Sequence, residues 1–204
     1  MRHIAVSCGV ILGTLPLFML FEPANAVTLD LLPQTQSVTV GQSVILDVQI
    51  SELGNNISPS VGGFNLQLNY DPAVLTFDDI TFSGLIDLSG LDTQTVDSST
   101  PGTLFFVDLS LDLPEELNTA QPDTFSLANI EFIGSGIGTN SPLTLTIIEV
   151  SDENFINFDP VTQNDATVTV SSGTTQVPES GLGLTGWGVL LGLFWKITQK
   201  KQSL

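Results

Sequence analysis

From residue 27 to residue 176 apolar residues tend to occupy alternate positions, and turn-forming residues break the pattern about every eight to twelve positions. Successive side chains of a strand point to opposite faces, whereas a helix returns to one face every third or fourth residue. The spacing therefore calls for short, half-buried strands and leaves little room for amphipathic helices. In 43–50, Val44, Leu46, Val48 and Ile50 share one face, with Asp47 and Gln49 on the other. In 63–70, Phe64, Leu66, Leu68 and Tyr70 point one way and Asn65, Gln67 and Asn69 the other. Further strands are expected at 28–32, 75–82, 103–111, 125–133, 143–150 and 166–170. Gly54-Asn55-Asn56, Pro101-Gly102, Gly134-Ser135-Gly136 and Asn140-Ser141-Pro142 read as turns or loops between them. The acidic stretch 113–123, with Pro114 and Pro122, reads as an exposed loop with room for one helical turn. Such a chain is all-β, an antiparallel two-sheet sandwich.

Both ends depart from this pattern. Residues 1–26 carry Arg2, an apolar core over 4–21 and the small-x-small sequence Ala24-Asn25-Ala26. That is the layout of a signal peptide cleaved after Ala26, with Ala24 and Ala26 as the small positions. The only cysteine, Cys8, leaves with it, so the remaining domain has no disulfide to rely on. Its length suffices to bury roughly two thirds of the unfolded surface. Residues 171–176 form a polar linker, followed by Val177-Pro178-Glu179-Ser180, an apolar run and then Lys196, Lys200 and Lys201. The run over 181–197 is expected to be a C-terminal transmembrane helix, short against a bilayer core of roughly 30 Å. The lysines behind it would stay cytoplasmic once the N-terminus is exported.

Charge narrows the functions available. The four basic residues, Arg2, Lys196, Lys200 and Lys201, all lie outside 27–176. Of 22 acidic residues only Glu22 and Glu179 lie outside it, leaving 20 inside and a domain charge of about −20. A surface without Lys or Arg cannot neutralise phosphates, which excludes nucleic-acid binding. His3 and Cys8 precede the domain, so no Ser-His-Asp, Cys-His or Ser-Lys arrangement can be assembled within it. A glycosidase needs only two carboxylates, but Trp187 and Trp195 lie in the tail and Tyr70 is the sole tyrosine, leaving few platforms for sugar. The domain reads as non-enzymatic. One acidic loop, with Asp152, Glu153, Asn154, Asn157, Asp159 and Asp165, could supply several of the six to eight oxygens that calcium takes. Its spacing matches no EF-hand, and the plain alternative is a solvated acidic loop.

Four stretches carry a family resemblance. They are Val40-Gly41-Gln42-Ser43-Val44, the block Gly63-Phe64-Asn65-Leu66-Gln67-Leu68-Asn69-Tyr70-Asp71-Pro72-Ala73-Val74-Leu75, Ser141-Pro142-Leu143-Thr144-Leu145, and the closing strand 166–170. In that order they resemble cohesins, the modules that bind dockerins in cellulosomes. The resemblance implies a jelly-roll sandwich of about nine strands over 27–170, in the same superfamily as certain carbohydrate-binding modules. The tail resembles a PEP-CTERM sorting signal, with Val177, Pro178 and Glu179 matching and Ser180 where a second proline is usual. That signal implies processing by an exosortase. Together these features lead us to expect a non-catalytic binding or adhesion module, exported through the inner membrane. It would be held by its C-terminal helix or released to the cell surface or extracellular matrix. Its partner would be dockerin-like or another surface protein. The alternatives are a carbohydrate-binding module for exopolysaccharide and a structural matrix protein without a defined ligand.

Overall fold

The alternation appears strand by strand in a computed structural model of the chain, which describes residues 26–173. These residues form β1 (Val27–Leu32), β2 (Thr35–Thr39), β3 (Ser43–Ser51), β4 (Val61–Asn69), β5 (Leu75–Phe82), β6 (Thr93–Asp97) and β7 (Thr103–Leu109). Helix α1 (Pro114–Ala120) follows, then β8 (Phe125–Gly134), β9 (Gly138–Asp152), β10 (Val161–Asn164) and β11 (Ala166–Ser171). One sheet has the order β10-β1-β3-β8-β5 and the other β2-β11-β9-β4-β7-β6. Inward residues of both sheets meet in one core, with Leu46, Val48, Ile50, Leu66, Leu68, Leu104, Phe106, Ile130 and Phe132 all fully buried. Burying a side chain of this size stabilises by roughly 1.5–3 kcal/mol, so a core of this extent holds the sandwich without cross-links.

Several expectations are corrected. The pairing is antiparallel except at two places, where β1 runs parallel to β10 and β11 parallel to β2. Three strands were not expected, β2, β6 and β10. Each is a short, mostly polar edge strand with only one neighbour and little apolar surface to bury, so it carries no alternating signal. Asn140-Ser141-Pro142 is no turn but lies inside β9. Pro142 is tolerated because Thr167, opposite it, donates its N–H away to Gln34, so that this pair exchanges no backbone bond. On the other side β4 has already ended at Asn69, opposite Thr144, and no ladder bond is lost.

The acidic stretch is also more ordered than a loop. Pro114 starts α1, Glu115 and Glu116 favour its positive end, and Leu117 pins it to the body of the domain. Gln121, just past the helix, is fully buried. Its Oε1 accepts from the Val61 N–H at 2.6 Å and its Nε2 donates to the carbonyls of Val61 (2.9 Å) and Leu85 (3.0 Å).

Ala26 lies exposed just before β1. The rest of the expected signal peptide, including Ala24, lies outside the described residues, as do 174–176 of the linker, Val177, Pro178, Glu179 and the expected span 181–197. Among the described residues no helix is long and apolar enough to cross a membrane.

Candidate functional site

The two sheets present opposite kinds of outer surface. On the first, Asp30, Asp47, Glu131 and Asp79 point outward, and Asp79 stands directly opposite Glu131. On the second, strand register sets the outward side chains of β9, β4, β7 and β6 in rows. One row runs Glu149, Asn65, Val107, Thr95, and the next runs Thr146, Gln67, Phe105, Asp97. They are flanked by Ser151, Gly63, Leu109, Thr93 at one end and by Thr144, Asn69, Thr103 at the other. The middle strands β4 and β7 present no charge, and Glu149 and Asp97 stand only on the outer strands. In a domain with 20 carboxylates, this face is set apart.

Two of its carboxamides are held in place. Gln67 Nε2 donates to Asn69 Oδ1 at 2.8 Å, and Asn69 Nδ2 donates to Thr146 Oγ1 at 3.2 Å. Apolar groups rise between them. Phe105 and Val107 are half-buried, Leu109 is exposed, and Ile148 protrudes at a bulge in β9. A shallow depression of about 210 Å³ opens at the Gly63 end, lined by Asn65, Val107, Leu109, Ser151 and Phe155. Gly63 helps form it, because a Cβ there would meet the Leu109 side chain. Phe155 is 54 % exposed and held at φ 60°, an uncommon conformation for an aromatic residue.

The residues considered for calcium are not gathered into one site. Asp152 Oδ1 accepts from the N–H groups of Asn154 (2.8 Å) and Ile156 (2.9 Å), shaping the turn that presents Phe155. Glu153 is turned inward and nearly fully buried. Its carboxylate accepts from Ser58 Oγ at 2.6 Å, the Ser60 N–H at 3.0 Å and Asn118 Nδ2 at 3.3 Å. Burial pushes its pKa up, but these hydrogen bonds prevail and hold it below the usual range. Asn157 bridges to Ser151, Asp159 is exposed, and Asp165 accepts from the Leu145 N–H at 2.9 Å. Among the described residues no group of three or more acidic, His or Cys side chains stands where it could hold a metal ion.

Sequence reasoning missed the face itself, including Phe105, Val107, Leu109, Ile148 and Phe155. One signal was visible. The polar outward positions of β4 are all carboxamides, Asn65, Gln67 and Asn69, with no carboxylate among them in a domain that holds 20.

A family model described as the Cohesin domain matches residues 31–177. CaCohA2 of Clostridium acetobutylicum, solved in complex with CaDoc0917, is 25% identical. The match has a TM-score of 0.57 and covers 71% of this chain and 99% of that one. The third cohesin of ScaC from Acetivibrio cellulolyticus, in complex with the ScaB dockerin, superposes with a TM-score of 0.56 at 16% identity. That match covers 72% of this chain and 99% of the other. A non-cellulosomal cohesin from the archaeon Archaeoglobus fulgidus does so at 0.53 and 21%, over 72% and 91% of the two chains. The last two likenesses are of fold. Comparison with curated proteins finds no match.

Proposed function

The chain belongs to the cohesin family, and from that premise we propose that it is a protein-docking module that binds through the outward face of β9, β4, β7 and β6. The observation that carries this reading is the absence of charge from the outward positions of β4 and β7 within so acidic a domain. Burying a carboxylate in an interface without a partner charge costs several kcal/mol, whereas Phe105, Val107 and Leu109 gain from burial. The fixed carboxamides can satisfy a partner's backbone or side-chain polar groups at little entropic cost. The partner class supported by kinship is a dockerin-like module, and cohesins are non-catalytic in this role. The remaining acidic surface would steer a partner with basic residues toward the face. We further propose that the domain is displayed outside the inner membrane, on the strength of the signal-peptide pattern in 1–26 and the PEP-CTERM-like tail.

The test is calorimetric titration of the intact protein with type I dockerins, comparing wild type, Phe105→Asp and Asp47→Asn. Binding should weaken by about tenfold or more in Phe105→Asp, a loss of about 1.4 kcal/mol, and be unchanged in Asp47→Asn. Unchanged affinity in Phe105→Asp would overturn the choice of face. If none of the dockerins binds, the partner is of another class.

A further inference from the structure

Asp108 lies on the inward side of β7, in line with Leu104 and Phe106 and opposite Phe64 of β4 and Gln94 of β6. No part of it reaches solvent. Gln94 Nε2 donates to its Oδ2 at 3.3 Å, and its Oδ1 has no such donor. The Asp92 carboxyl, from the segment joining β5 to β6, lies within hydrogen-bonding reach of Asp108, and Asp92 Oδ2 is likewise buried without a donor. Asp92 is oriented by its neighbour Asp87, whose Oδ1 accepts from the N–H groups of Leu91 (2.8 Å) and Asp92 (3.3 Å).

Ionised carboxylates only accept hydrogen bonds, so two of them buried together repel unless a cation or a proton intervenes. The domain contains no Lys, Arg or His to supply the cation. The titratable groups facing Asp108 are Asp92 and Asp87, both acidic, while β4 contributes Phe64 and β6 the neutral Gln94. A divalent ion finds no group of three such ligands here. One proton converts one carboxyl into a donor and satisfies both residues. Burial first, then the neighbouring Asp92, pushes Asp108 up to about 8.

We propose that Asp92 and Asp108 form a proton-held clasp that fastens segment 83–92 and edge strand β6 to β7, so that deprotonation loosens the β6 side of the docking face. The consequence for partner binding rests on the docking reading above; the clasp itself does not. The folded state keeps a proton that the unfolded chain releases near 3.8, so the clasp stabilises fully below that pH. Its contribution is lost as pH rises toward about 8.

Hydrogen exchange of the intact protein between pH 6 and 9.5, corrected for intrinsic rates, reads the clasp whether or not a partner binds. Protection of the β6 amides should fall relative to β3 by up to about tenfold per pH unit from pH 6 toward about 8 and level off above it. In Asp108→Asn, whose amide can donate to Asp92 without titrating, β6 protection should stay flat. Carboxyl-carbon NMR of the wild type supplies a check that needs no variant, namely one aspartate resonance titrating above pH 7. A flat wild-type profile, an unchanged profile in Asp108→Asn, or the lack of such a resonance overturns the clasp. So does full restoration of β6 protection by millimolar calcium at pH 9, which would make this a cation site.

Discussion

Glu153 shows how a single carboxylate can hold three pieces of chain together. Its oxygens accept from Ser58 and Ser60 on the loop before β4 and from Asn118 on α1, while its own backbone continues from β9. Because these bonds favour the charged form, its folded pKa lies below the unfolded value. The stabilisation is therefore present above the unfolded value of about 4.5 and is lost as pH falls through the folded one. Glu153→Gln should destabilise the protein at pH 7, and the gap from wild type should narrow at pH 3. Urea unfolding at the two pH values measures it, and an equal gap at both would mean that charge plays no part. At this scale the sequence was a poor guide. Asp152 and Glu153 are adjacent acidic residues in one turn, yet one closes the turn at the surface and the other enters the interior. Nothing local distinguishes them, since the groups that receive Glu153 lie far away in the chain.

The elements that span the core were easy to read because each buries alternate residues. Strand β5 was expected over its observed range, and β3, β4 and β8 to within two residues at either end. Elements whose position depends on a neighbour, such as β2, β6 and β10, left no mark in the hydrophobic pattern. The face proposed for docking was illegible for the same reason. Phe105 and Val107 look like ordinary members of a strand rich in apolar residues until register places them beside Gln67 and Asn65. Two substitutions separate backbone geometry from residue type. Gly62 lies at a register shift where a Cβ would run into the backbone carbonyl of Asp152, so Gly62→Ala should displace β4 from β9 and cost more than about 2 kcal/mol. Pro142→Ala adds an N–H on a side without a strand and should change stability by less than about 0.5 kcal/mol. Denaturant midpoints of both variants check the pair, and a large loss in Pro142→Ala would contradict the strand assignment.

Across the whole domain, about −20 of charge without a compensating cation means that folding works against self-repulsion. Monovalent salt at 0.15 M screens such repulsion beyond roughly 8 Å, so the melting temperature should rise between 10 and 300 mM sodium chloride. A fall would mean that specific charge contacts dominate. If the chain is exported as proposed, mass spectrometry of envelope protein should find Val27 as the N-terminal residue. Recovery of Met1 from a soluble cytoplasmic pool would refute that. The chain leaves the domain at the end of β11, where Ser171 accepts from the Val40 N–H, and the strand is gripped on both sides, by β2 and by β9. Traction on the residues beyond Ser171, directed away from the domain, runs along β11 and so across its hydrogen bonds rather than peeling them one by one. Bonds loaded sideways share the strain and yield together, so a domain tethered by its tail and gripped on its face would resist being torn open by flow.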